Sequence, residues 1–194
     1  MPPKPRWSTR QIPLPERGLR VAVVADTHSN PHRLSLSLIA AQDPDYILHA
    51  GDIGKLHVLD ALSEIAPLIS VRGNIDDRGS GLPDFVGIDV MTGNSIRSRW
   101  LLTHIAVRGP KLMAPIRRMS RERDVQLVVC GHSHVPLIVR DGAIGVFNPG
   151  SIGPRRFGLP ITFGTIELTE AGLRLRHICC ETGETWLPPK LSHL

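Results

Sequence analysis

Apolar residues in this chain come in short continuous runs, and most of the runs end on a polar residue able to hold a ligand. Leu19 to Ala25 is rich in β-branched residues and predicts a buried strand. It runs into Asp26-Thr27-His28. Asn30-Pro31 then reads as a helix cap and first helical residue, and Leu34, Leu38 and Ala41 recur at helical spacing. A helix is expected there to about Gln42, stopped before Pro44. Tyr46 to Ala50 is the next strand, closed by Gly51-Asp52. Leu59, Leu62 and Ala66 mark a second helix from about Lys55 to Pro67. Leu68 to Arg72 is a third strand, followed by Gly73-Asn74-Ile75-Asp76. This β-α-β-α-β order predicts parallel strands joined by right-handed crossovers. Ligands in such sheets bind beyond the carboxyl ends of the strands. Asp26, His28, Asp52 and Asn74 all fall there.

Further on, Gly79 to Asn94 is loop-rich with a short strand over Val86 to Met91, and Trp100 to His104 is another strand. Leu112, Ile116 and Met119 put an apolar stripe on a helix from about Lys111 to Arg123, with Arg117, Arg118 and Arg121 on its other side. Leu127 to Cys130 is a strand that runs into Gly131-His132-Ser133-His134. Gly131 lets the chain turn tightly at that point. Pro136 to Arg140, Ile144 to Asn148, Ile161 to Leu168 and Leu173 to Cys179 read as an antiparallel meander, with tight turns at Asp141-Gly142 and Glu170-Ala171-Gly172. Residues 1–18 hold five prolines among polar and basic residues. They are expected to form an extended, partly disordered arm ahead of a single domain over residues 19–194.

Composition narrows the class. A chain of 194 residues builds one domain with a substantial core, and with aromatics at 4 % that core rests on Leu, Ile and Val. No apolar run approaches the roughly 20 residues that span a bilayer, and the N-terminus lacks the apolar segment of a secretory signal. A cytoplasmic protein with no membrane partner is expected. Cys130, Cys179 and Cys180 are not spaced for a zinc knuckle, and no disulfide is expected. The net charge of +5 is uneven: residues 1–20 carry +4 and residues 108–123 carry +5, leaving a mildly acidic remainder. Two basic patches do not make a whole-molecule nucleic-acid footprint. The Arg117–Arg123 face leaves a secondary nucleic-acid partner open.

Five strand ends therefore offer Asp26, His28, Asp52, Asn74, His104, His132 and His134. This is a mixed nitrogen and oxygen set. Two neighbouring metals need about eight ligand positions, which seven residues supply when one carboxylate serves both ions. The absence of thiolates argues against a structural zinc. Each position also has an ordinary reading. Asp26 and Asp52 stand where helix caps are placed, and Asn74-Ile75-Asp76 reads as a turn. His49 is a strand-interior histidine for the core or for support behind the ligands. His32, His57, His177 and His193 carry no assigned role.

Asp-x-His, Gly-Asp, Gly-Asn-x-Asp, a lone His and Gly-His-x-His, in this order from about Leu19 to Arg156, resemble the calcineurin-like metallophosphoesterase superfamily. Asn148-Pro149-Gly150-Ser151 and Pro154-Arg155 are similar to its small bacterial and archaeal phosphodiesterase branch, which includes the retromer scaffold subunit. The resemblance implies an α/β fold, a four-layer α-β-β-α sandwich of two mixed β-sheets flanked by helices. By motif position it assigns Asp26, His28, Asp52 and His134 to one metal, and Asp52, Asn74, His104 and His132 to the other. Two divalent transition-metal ions are implied, with manganese ahead of iron, zinc or nickel. The implied reaction is phosphodiester hydrolysis by a metal-bridging hydroxide, with Asp52, Asn74 and His104 catalytic. Arg155 is expected to touch the substrate and Asp76 to orient a ligand histidine. The alternative is a non-catalytic interaction scaffold on the same fold. Two positions depart from the pattern. Ile75 stands where many relatives carry a His that protonates the leaving group, and Ile105-Ala106 follow His104 where relatives often read His-Gly-His.

Overall fold

The computed structural model describes residues 4–156 and 158–188, which leaves His193 and the first three residues outside it. The first apolar runs form β2 (Leu19–Val24), β3 (Tyr46–His49) and β4 (Leu68–Ser70), separated by α1 (Ser35–Ala40) and α2 (His57–Ser63). The three strands are parallel, as the β-α-β-α-β reading requires. They form half of a six-stranded sheet, completed by β12 (Thr162–Thr169), β13 (Gly172–Cys179) and β14 (Thr185–Trp186) in the order β14-β13-β12-β2-β3-β4. The second sheet holds β1 (Trp7–Pro13), β5 (Phe85–Thr92), β6 (Ser95–Thr103), β9 (Leu127–Val129), β10 (Pro136–Asp141) and β11 (Ile144–Pro149). Its order is β1-β5-β6-β9-β11-β10. Both sheets mix parallel and antiparallel pairs.

Three apolar clusters define the layers. Val21, Val23 and Leu48 from one sheet meet Ile88, Trp100, Leu127 and Phe147 from the other, which is the core between the sheets. Ala22, Val24 and Ile47 point the opposite way and pack under Ile39 of α1 and Val58 and Leu62 of α2. Leu101, Val128 and Val146 face Ile116 of α3 (Ala114–Glu122) on the outside of the second sheet. Side chains alternate across a strand with a period of two, so strands covered on both faces read as unbroken apolar runs. The four layers expected from the resemblance are present.

Four local expectations change. The N-terminal arm is ordered over its described part: β1 runs parallel to β5 from Trp7 opposite Phe85 to Pro13 opposite Met91. Ile12 is the reason, being only 2 % exposed in the core between the sheets. As an edge strand β1 tolerates a proline at its end. Asn30-Pro31 does not open α1, because residues before it are engaged elsewhere: Asn30 N–H donates to Thr27 O, and His32 N–H to Ile152 O. The helix over 111–123 starts late. Lys111–Leu112 (β8) pairs instead with Val107–Arg108 (β7), and Pro115 sits in the first turn of α3, where its missing N–H costs nothing. The expected meander is two hairpins in different sheets. β10 and β11 pair, and β11 lies parallel to β9; β12 and β13 pair, and β12 lies antiparallel to β2. The three cysteines are buried and free. Among the described residues no helix is long and apolar enough to cross a membrane.

Candidate metal centre

All seven predicted ligand residues come from loops at one edge of the two sheets. Neither Asp26 nor Asp52 caps a helix, since the residues preceding α1 and α2 are Leu34 and Leu56. The loops after β2 and β3 are zipped together instead. Asp26 N–H donates to Gly51 O, His28 N–H to Asp52 O and Ser29 N–H to Ile53 O, at 2.9, 3.0 and 2.8 Å. Gly131 N–H donates to His104 O at 3.0 Å and joins the other two loops.

Five of the seven turn sharply as they leave the sheet. Asp26, His28, Asp52, His132 and His134 have φ of +54°, +46°, +55°, +70° and +59°. A left-handed backbone at a non-glycine residue costs on the order of 1–3 kcal/mol and persists where the surroundings enforce it, typically at ligand clamps. Asp and His are among the residues that tolerate it best. Close approach is enforced at Gly73, where an added Cβ would overlap the backbone nitrogen and carboxylate of Asp52.

The side chains form two clusters. The ligand atoms of Asp26, His28 and His134 all lie within 4.8 Å of one another, and so do those of Asp52, His104 and His132. Asn74 belongs with the second cluster: its Oδ1 accepts from His104 Nε2 at 3.0 Å and His132 Nδ1 at 2.8 Å. Asp52 lies between the two clusters. Its Oδ1 is 3.1 Å from His104 Nε2, and its Oδ2 is 3.8 Å from His28 Nε2. Within the first cluster, His28 Nε2 and His134 Nε2 stand 3.2 Å apart.

These residues fit divalent cations. Asp26 Oδ1 is buried, has no hydrogen-bond partner among the described residues, and lies 3.4 Å from His134 Nε2. A buried unsatisfied carboxylate oxygen is costly, and a cation is the partner that would satisfy it together with the nearby imidazoles. Imidazole, carboxylate and amide oxygen suit manganese, iron or zinc.

The proton affinities match that purpose. Burial raises the Asp26 carboxyl to about 7, with the charge of Asp52 adding and that of His104 opposing. Burial also acts to raise Asp52, but the hydrogen bond and charge of His104 outweigh it and hold Asp52 at about 2. His104 is the reciprocal case: burial opposes its charge, the Asp52 partner wins, and its pKa is raised. Burial lowers His28, His132 and His134, the last to about 4 with the Arg156 charge adding. Three of the four histidines are therefore neutral and ready to donate a lone pair.

The supporting residues act mostly through backbone. Asp76 was expected to orient a histidine. Its carboxylate instead accepts from the N–H groups of Ile53, Gly54 and Gly73, so it pins the Asp52 loop to the Asn74 loop. His104 Nδ1–H donates to Ala50 O at 2.8 Å, which aims Nε2 into the site. His49 is fully buried and held at about 3 by that burial. Its Nδ1 accepts from Gly51 N–H, and its Nε2 meets Thr27 Oγ1 at 3.0 Å, so it spans the first two ligand loops. Sequence pattern assigns no role to Asn148 or Ser151. Asn148 Nδ2–H donates to Gly131 O and Ser133 Oγ and sets the His132–His134 turn, while Ser151 Oγ–H donates to Asp26 O. Arg155, the expected substrate contact, is ion-paired with Glu181 and donates to Leu159 O. The neighbouring Arg156 is the arginine whose charge reaches Asp26, His28 and His134. The bonds from Asp76 to the Ile53 and Gly54 amides, from His49 to Thr27, and from Ser151 to Asp26 join residues more than twenty positions apart, so local sequence carries no signal for them.

The chain matches the family model for the calcineurin-like phosphoesterase superfamily domain over residues 19–171. It is 27 % identical over 134 residues to the probable metallophosphoesterase MJ0623 of Methanocaldococcus jannaschii, covering 68 % of this chain and 67 % of that one. It is 30 % identical over 113 residues to phosphodiesterase YfcE of Escherichia coli, covering 57 % of this chain and 58 % of YfcE. In fold it is similar to Vacuolar Protein Sorting 29 of Cryptosporidium parvum, at a TM-score of 0.69 and 20 % identity over 88 % of this chain and 96 % of that one.

Proposed function

The chain belongs to the calcineurin-like phosphoesterase superfamily, and from that membership we propose that it hydrolyses phosphodiesters with two divalent transition-metal ions, manganese being the first choice. Asp26, His28, Asp52 and His134 would hold one ion, and Asp52, Asn74, His104 and His132 the other. The observation that carries this reading is the Asp52 carboxylate, one oxygen of which faces each histidine cluster. When bound, the ions supply Lewis acidity and a water-derived nucleophile at neutral pH.

The chain's own residues do the rest. As a ligand, His104 would present Nε2 in its deprotonated form and keep its Nδ1–H on the Ala50 carbonyl, which holds the ring in place. Asn74 contributes an oxygen without charge, which limits repulsion of an anionic ester. Arg156 places a positive charge on the Asp26 side of the site. Asp76 and His49 keep the ligand loops in register, so the ligands are positioned before substrate arrives. Ile75 stands 48 % exposed at the mouth and offers no proton. Substrates with leaving groups that depart unprotonated are therefore favoured. A scaffold role would tolerate the loss of ligand residues, and all seven are here.

Elemental analysis of manganese-loaded protein should find up to two ions per chain, with turnover of bis(4-nitrophenyl) phosphate. Asp52→Asn should bind fewer ions and lose at least about a hundredfold in turnover, because both ions lose a charged ligand. A folded protein that retains no ion after incubation with manganese and cleaves no diester would refute this function.

A further inference from the structure

Residues 4–18 precede the part of the chain that the family model matches, yet Pro5 lines a pocket shared with two residues of the candidate metal centre. Arg6 N–H donates to Asp84 Oδ2 at 2.8 Å, and Asp84 N–H and Phe85 N–H both donate to Arg6 O. Trp7 stacks on Phe85 with ring centroids 5.9 Å apart, and the Arg123 guanidinium lies 4.3 Å above the Trp7 ring. Beside these contacts, Pro5 lines a pocket of about 220 Å³ together with Asn74 and His104.

The lining is apolar with one available charge. Pro5, Phe85 and Ile105 provide the apolar surface, and Ile105 is 39 % exposed, an apolar side chain left on a rim. Arg72 and Asp84 also line the pocket, but they neutralise each other at 2.6 Å. The remaining Arg72 donors go to Gly73 O and Asp76 O. Arg78 is different. It is exposed, lines the same pocket, and among the described residues its guanidinium makes no hydrogen bond or ion pair. A pocket lined by a proline, an aromatic ring and an isoleucine, with one available guanidinium, suits an apolar ring that carries an anion.

We propose that this pocket binds a nucleotide-type substituent of the diester, its base against Pro5 and Phe85 and a further phosphate on Arg78. The proposal rests on the phosphodiesterase reading, which puts the scissile phosphorus beside Asn74 and His104. The N-terminal segment is then part of substrate selection as well as a strand at the sheet edge.

Three 4-nitrophenyl diesters test it on the full-length, manganese-loaded protein: the methyl ester, the thymidine 5′-ester and the thymidine 5′-ester carrying a 3′-phosphate. KM should fall at each step, the last by about tenfold, the worth of a modest charge-assisted hydrogen bond. Arg78→Ala should abolish the last step. Deleting residues 2–5, which leaves β1 intact, should abolish the gain from thymidine. If the deletion does not fold, Arg78→Ala decides alone. Equal KM for all three esters would overturn the subsite and leave the phosphodiesterase reading standing, whereas no turnover of any ester would sink that reading. Calorimetry on metal-stripped protein gives an answer independent of activity. Thymidine 3′,5′-bisphosphate should bind and weaken about tenfold in Arg78→Ala, and no measurable binding would overturn the subsite.

Discussion

If the chain hydrolyses phosphodiesters as proposed, Ile75 is the residue at which leaving-group chemistry is decided. Its N–H donates to Asp52 Oδ1 at 3.1 Å, which ties the backbone to the site while the side chain faces solvent. General acid catalysis is worth about 10²–10⁴-fold for a poor leaving group and little for nitrophenolate. Ile75→His should therefore raise turnover of alkyl diesters at least about tenfold more than that of aryl diesters. Measuring both rates in both proteins checks this, and a uniform change would point to another proton donor. His177 gives a pH prediction remote from the ligand atoms. Burial lowers its pKa, against the opposing effect of the Asn148 carbonyl that accepts from Nε2–H at 2.8 Å. The unfolded chain takes up that proton as pH falls below about 6.5, while the folded chain resists it. The stability contribution is thus full above this pH and shrinks as pH falls toward the depressed folded value. Between pH 7.5 and 5.5 the wild type should lose more stability in urea than His177→Gln, which keeps a donor for Asn148.

Among the elements, β1 is the one whose behaviour separates an ordered strand from a loose tail. Ile12 is 2 % exposed between the sheets, and truncating a buried isoleucine costs about 2–5 kcal/mol. Ile12→Ala should shift the urea transition by that amount; an effect below about 0.5 kcal/mol, the size typical of surface substitutions, would mean that the segment is not packed in solution. The strand was illegible because its proline content resembles a disordered arm, and its partner β5 lies over seventy positions downstream. The parallel strands β2, β3 and β4 were legible, since burial on both faces leaves an unbroken apolar run in the sequence itself. Apolar spacing locates the helices correctly but predicts them too long. Residues around His32 and Lys111 had the right apolar spacing, and contacts to Ile152 and β7 claimed their backbones first.

At the scale of the whole molecule, the candidate ligands come from both sheets: Asp26, His28, Asp52 and Asn74 follow β2, β3 and β4, while His104, His132 and His134 follow β6 and β9. Ions held between them would cross-link the two halves of the sandwich. A ligand that binds only the folded state at a hundred times its dissociation constant adds about 2.7 kcal/mol. Manganese at that excess should raise the thermal midpoint above that of chelator-treated protein, and Asp52→Asn should erase most of the difference. An unchanged midpoint in the wild type would mean that no ion ties the sheets.

What the sequence determined by itself was local in character. The identity and order of the seven ligand-type residues, their position at strand exits, and the parallel half of one sheet follow from patterns spanning a few residues. The tertiary structure decided what depends on distant partners. It chose the sheet that each C-terminal hairpin joins, and it made the N-terminal segment a strand and a pocket wall. It gave Asp76 three backbone amides in place of a histidine, engaged Arg155 with Glu181, and put the charge of Arg156 at the site. The physical reason is common to all of these. A side chain's propensity is carried by its neighbours in sequence, whereas burial, pairing and charge are settled by whichever surface reaches it in the packed chain.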